Sequence, residues 1–116
     1  MKKILKVPLF FHKIEVYQEP TLSEAIEKAN LVIDKSDNGY NALTVYMRQG
    51  LIILLFKESS CTPGIVAHEA NHAVNYIMKD IMQRPDLEND EFECYLLGWL
   101  VDELHKHLKV NTVLNK

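Results

Sequence analysis

The chain is short of cysteine, glycine and proline, and it has no long apolar run. Two cysteines in 116 residues, Cys61 and Cys94, cannot build a disulfide framework, so a hydrophobic core must hold the fold and a reducing compartment is expected. The four glycines and four prolines form no linker, and there is no repeat or low-complexity tract, so one domain spanning residues 1–116 is expected. The longest apolar stretch, Leu51 to Phe56, falls far short of the ~20 residues that cross a bilayer. Met1-Lys2-Lys3-Ile4-Leu5 begins like a signal peptide, but Lys6, Pro8, His12 and Lys13 interrupt any apolar region that would follow, which favours a cytoplasmic location. There is no excess of either charge. Thirteen basic against sixteen acidic residues give a net charge of −3, which excludes the electrostatic footprint of a nucleic-acid or membrane-surface binder.

The chain does have an ordinary globular balance, 47% apolar and 25% charged, and clear local patterns. Ile4 to Val7 and Phe10 to Tyr17 read as a strand, bent or split at Pro8 and near a sheet edge. Thr21 and Glu24 form a capping box, and Leu22, Ile26, Ala29 and Ile33 continue at helical spacing to about Asp34. Ser36 to Gly39 is a loop. Ala42 to Met47 and Leu51 to Phe56, joined by Arg48-Gln49-Gly50, predict a β-hairpin with Gly50 at positive φ. Thr62-Pro63 predicts a helix start, with Ala67, Ala70, Val74, Ile77 and Ile81 as its apolar stripe and Arg84-Pro85-Asp86 as its end. A last helix runs from about Asp90 to Leu108 on a leucine stripe of Leu96, Leu97, Leu100, Leu104 and Leu108. The expected class is α+β, with a small antiparallel or mixed sheet, an N-terminal helix and two C-terminal helices.

One stretch carries chemistry. His68-Glu69-Ala70-Asn71-His72 fits His-Glu-x-x-His inside a predicted helix, where residues four apart share a face and both imidazoles can reach one metal ion. Glu69 sits about 100° round the helix, too far to be a co-ligand but placed to act on a metal-held water. With five histidines in the chain, such a match arises by chance with a probability of roughly 2%. A polar helix face carrying two ordinary histidines is the competing reading. Catalytic zinc takes three protein ligands. A third histidine six residues after His72 is absent, since position 78 is Met78. The last helix offers Glu91, Glu93 and Cys94 instead, with Glu91 heading a stripe of Cys94, Tyr95, Gly98, Asp102 and His105. Gly98 on that stripe is expected to allow close approach of the metal-site helix. His12 and His107 read as surface residues.

Pro63 to His72, with Glu91 to Leu100 in the following helix, resembles the zincin metallopeptidases of the gluzincin type, in which His-Glu-x-x-His is followed by a helix supplying a glutamate. More narrowly, Thr62-Pro63-Gly64-Ile65-Val66-Ala67-His68-Glu69 with Glu91-x-x-Cys94-Tyr95-Leu96-Leu97-Gly98 is similar to small bacteriophage-encoded zincin-like proteins, which carry alanine where Cys94 stands. The resemblance implies a minimal zincin-like fold and a Zn²⁺ ion on His68, His72 and Glu91. It also implies Glu69 as the base acting on a zinc-bound water, and a peptide or protein substrate, in the host cytoplasm if the chain is phage-encoded. It further implies an edge strand that pairs with extended substrate, for which Leu51 to Phe56 and Ala42 to Met47 are the candidates. Tyr95 and His105 are the candidates for a donor to the oxyanion. A non-catalytic zinc protein acting as a host-interaction module is the alternative function.

Overall fold

The apolar runs of the N-terminal half become one mixed four-stranded sheet. The computed structural model describes residues 1–33, 40–81, 86–88 and 90–112. Strand β1 (Lys2–Lys6) pairs antiparallel with β2 (Lys13–Glu19), β2 pairs parallel with β4 (Leu51–Lys57), and β3 (Ala42–Tyr46) pairs antiparallel with β4, giving the order β1-β2-β4-β3. Of the two expectations at Pro8, bent or split, the chain takes the split and forms two strands. The chain reverses between them, with Leu9 in the left-handed region at φ 70°, and Phe10 and Phe11 belong to neither strand. Only β1 of this pair lies at an edge, and β2 is interior.

Strand β4 explains its own composition. Its alternate residues serve two cores: Ile52, Leu54 and Phe56 pack on one face with Ile14 and Val16 of β2, while Ile53 and Leu55 pack on the other with Tyr17. An uninterrupted apolar run is what a strand covered on both faces requires. Three helices among the described residues provide the cover. Helix α1 (Leu22–Lys28) lies on the Ile53/Leu55 face through Leu22, Ala25 and Ile26, and α2 (Pro63–Asp80) and α3 (Glu91–His107) lie on the other. The α+β class holds.

Helix α1 begins as its sequence predicts, with the Thr21 hydroxyl accepting from the Glu24 amide and the Glu24 carboxylate accepting from the Thr21 amide. It ends six residues before the expected Asp34. Asn30 takes φ 58°, its amide donates to the Glu27 carbonyl, and the Leu31 amide donates to the Ile26 carbonyl. That is a Schellman termination, for which asparagine is second only to glycine, and it overrides the apolar spacing of Ile33. The loop expected at Ser36 to Gly39 lies outside the described residues, as do Arg84 and Pro85.

The β3–β4 hairpin turns through Arg48–Gly50, with Gln49 at φ 62° and Gly50 at φ 78°. A Cβ on Gly50 would press on the ring of Phe11, which would have to move, and the positive φ favours glycine there in any case.

Helix α2 is capped by Thr62, whose hydroxyl accepts from the Ile65 amide, and Pro63 occupies the first turn. Its buried stripe is Val66, Glu69, Ala70, Ala73, Val74, Ile77 and Met78. Ala67, expected on that stripe, is exposed. Ala67 matches the helical spacing but falls on the edge of the face, and the branched Val66 takes the core position. Helix α3 buries Leu96, Leu100 and Leu104, and Leu108 follows as its cap, so the leucine stripe does what its spacing predicts. Beyond α3 the chain is tied back: the Gln18 amide group donates to the Lys109 carbonyl and accepts from the Lys109 amide, both at 2.9 Å.

The two cysteines differ sharply in access. Burial pushes the Cys61 thiol up to about 11, while Cys94 is exposed. Treatment of the native chain with a thiol reagent is expected to label Cys94 alone, and unfolding in denaturant is expected to expose the second equivalent. Two thiols titrating in native buffer would contradict the packing given for Cys61.

Candidate metal centre

The His-Glu-x-x-His stretch occupies the second and third turns of α2, and the helix separates its three polar side chains as the spacing requires. His68 and His72 are exposed, with their rings at a centroid distance of 4.8 Å and their Nε2 atoms 3.2 Å apart. Two nitrogens each bound at 2.0–2.1 Å to a tetrahedral zinc lie about 3.3–3.4 Å apart. The pair is therefore already spaced for one ion. The same separation lets one neutral imidazole donate to the other. Glu69 lies on the core side of this pair, 6% exposed, with its Oε2 4.0 Å from Nε2 of His68.

A buried carboxylate needs a donor. Strand β3 supplies it: the Thr44 hydroxyl donates to Oε1 of Glu69 at 2.5 Å. The strand stands over α2 at the outer edge of the sheet, and between them run two adjoining hollows of about 250 Å³ each. Both are lined by Tyr40, Ala42, His68 and Glu69; one extends to Thr44, His72 and Tyr76, the other to Ile65. The two imidazoles and the carboxylate thus open on a cleft between α2 and β3, a strand paired on one side among the described residues. Leu51 to Phe56 cannot present an edge to a ligand, because β4 is paired by β2 on one side and β3 on the other. Of the two candidate substrate strands, Ala42 to Tyr46 is the one with an unpaired side among the described residues.

The residues of α3 are placed differently. Glu91 is the first residue of the helix and exposed, Glu93 is half-buried, and Cys94 is exposed. None joins His68 and His72: among the described residues, no group of three or more His, Cys, Asp or Glu side chains is positioned to hold a metal ion. Helix α2 continues two turns beyond His72, to Asp80, and Glu91 opens α3. At that end Phe92 of α3 meets Phe10 edge-on at 5.7 Å, and Phe10 meets His12, whose partner is Asp80. Desolvation, followed by the carboxylates of Asp90, Glu91 and Glu93, pushes the Cys94 thiol above its ordinary range. Gly98 does not mediate close approach of α2; a Cβ there would meet nothing within 4 Å. Tyr95 is 66% exposed and His105 turns its Nδ1 toward the Val101 carbonyl at 2.9 Å, and neither lines the cleft.

His12 is also not the surface residue its sequence context predicts. It is 1% exposed, directly precedes β2, and its Nε2 lies 2.9 Å from Oδ2 of Asp80. The same oxygen accepts a 2.7 Å hydrogen bond from the Tyr46 hydroxyl. Burial pulls the Asp80 carboxyl upward, but the hydrogen bonds from Tyr46 and His12 outweigh it and hold the group below its ordinary 3.8. A depressed carboxyl lends stability that is present above the unfolded pKa and is lost as pH falls through the folded one. The gap in denaturant midpoint between wild type and Asp80→Asn is therefore expected to be widest at neutral pH and to narrow below about pH 4. A gap that stays constant through that range would contradict the assignment.

Thr44, Tyr40 and Tyr76 were not among the sequence candidates. Tyr76 had a signal, because it follows His72 by four residues on the same helical row. Thr44 and Tyr40 had none, because their place at the cleft depends on which strand forms the edge. Comparison with known proteins adds no further residue: no family model matches the chain, and neither a curated protein nor a solved structure matches it. Among the described residues no helix is long and apolar enough to cross a membrane.

Proposed function

We propose that the chain is a minimal zinc-dependent metallopeptidase in which His68 and His72 hold the ion, Glu69 is the general base, and the cleft beside β3 takes an extended peptide. The observation that carries this reading is the 3.2 Å separation of the two Nε2 atoms at a cleft that also contains the Glu69 carboxylate. Zinc at such a pair supplies Lewis acidity, making a water a stronger acid near neutral pH and polarising a carbonyl oxygen.

The remaining work falls to the chain's own groups. Glu69 receives the proton that the attacking water gives up and returns it to the leaving amine. The Thr44 hydroxyl occupies Oε1 of that carboxylate, which fixes its plane and leaves Oε2, on the side of His68, for the proton. The outer N–H and C=O groups of β3 pair with the peptide backbone, as an edge strand can, and hold the scissile bond over the two imidazoles. With Tyr95 and His105 outside the cleft, Tyr76 and Tyr40 are the hydroxyl-bearing side chains, besides Thr44, that line it.

Glu91 as the third ligand rests on the sequence resemblance, and its place at the head of α3 does not add support. The test of the whole reading is zinc content and peptide hydrolysis of the purified chain. One zinc per chain with chelator-sensitive cleavage is expected. Tight stoichiometric zinc with no cleavage of any peptide or protein would instead favour the host-interaction reading.

A further inference from the structure

The row His68, His72, Tyr76, Asp80 continues the metal-site face to the end of α2, at four-residue intervals. Its last member stands where an acidic residue is disfavoured, at the negative end of the helix dipole. What Asp80 holds accounts for its position. On one side it accepts from His12, whose side chain is fully buried, stacked on Phe11 at 4.4 Å and set edge-on to Phe10 at 6.5 Å. His12 Nδ1 is the buried side-chain polar atom without a hydrogen-bond partner among the described residues. With Nε2 facing a carboxylate, an N–H there donates to Asp80, which satisfies one of the two ring nitrogens in the absence of water.

On its other side Asp80 accepts from Tyr46, the last residue of β3, and the Tyr46 ring lies flat on Tyr76 at 5.0 Å and 17°. Residues two apart on a strand share a face. Thr44 and Tyr46 therefore both address α2, the first through Glu69 and the second through Tyr76 and Asp80. Strand β3, which among the described residues has a neighbouring strand on one side only, is pinned to the helix along one face.

We propose that His12 and Asp80 are positioning residues for the cleft: through Tyr46 they fix how β3 stands over α2, and so place Thr44 against Glu69 and set the strand edge that receives the peptide. The kinetic consequence rests on the peptidase reading, but the clamp itself does not. Tyr46→Phe is the most informative variant, because it keeps the ring and its stack and removes only the hydroxyl. In the full chain it is expected to raise amide hydrogen exchange across residues 42–46 about tenfold, with β1 and β2 unchanged. In the zinc-loaded chain it is expected to raise KM for peptides about fivefold, with kcat and zinc affinity changed less than twofold.

Asp80→Ala, which leaves Tyr46 no acceptor, should show the same pattern, and the double variant Tyr46→Phe/Asp80→Ala should lose no more than Asp80→Ala alone, since both act through one contact. Unchanged exchange in β3 of Tyr46→Phe, or additive losses in the double variant, would overturn the proposal. Faster exchange confined to β3 in a protein whose wild type cleaves nothing would support the clamp while removing the peptidase reading.

Discussion

Glu69→Gln is expected to bind zinc as wild type does and to lose peptide hydrolysis by a factor of about 10²–10⁴, the contribution of a positioned general base. The amide keeps the size of the carboxylate and one oxygen that can accept from Thr44, so the packing of α2 against β3 has no reason to change. It cannot receive a proton from water. Because Glu69 is buried on the core side of the imidazole pair, its loss is not expected to disturb His68 or His72, which are exposed. Hydrolysis at the wild-type rate by this variant would remove Glu69 from the chemistry. A parallel loss of zinc would make it a ligand or a support for one.

His72→Ala is expected to weaken zinc binding by at least about a hundredfold and to abolish chelator-sensitive hydrolysis, because it leaves a single imidazole at the site. The substitution removes an exposed side chain from a helix and puts in the best helix former, so thermal stability of the metal-free chain is expected to hold or rise slightly. Loss of zinc with the fold intact separates a ligand from a structural residue. Glu91→Ala is the companion measurement. A comparable loss of affinity would establish that the head of α3 reaches the ion in the zinc-loaded chain. Wild-type affinity would leave the pair to be completed by a group other than Glu91.

How much of this was legible in the sequence follows from what each feature depends on. The caps at Thr21 and Thr62, the Gly50 turn and the leucine stripe of α3 are local, and local spacing found them. The apolar run of Leu51 to Phe56, with no alternation, is what burial on both faces leaves, and β4 has it. The early end of α1 was missed because a single asparagine in the left-handed region outweighed a continuing apolar period. The same apolar run favours an interior place for Leu51 to Phe56, which β4 takes, but nothing local marks its parallel partner as β2. That pairing leaves β3 beside α2, and with it Thr44 beside Glu69.

The site divides in the same way. His68, Glu69 and His72 were found because four-residue spacing on one helix is a local signal. Glu91 depends on how α3 packs against α2, and no local spacing sets that. His12 was misplaced because a histidine before a strand carries no mark of burial; its partner Asp80 is 68 residues away.

Whether His68 and His72 hold one zinc ion together is read from X-ray absorption at the zinc edge of the loaded chain. Two imidazole nitrogens at about 2.0–2.1 Å are expected in the wild type and one in His72→Ala. A wild-type first shell with fewer than two imidazoles, or one that His72→Ala leaves unchanged, would contradict that pairing.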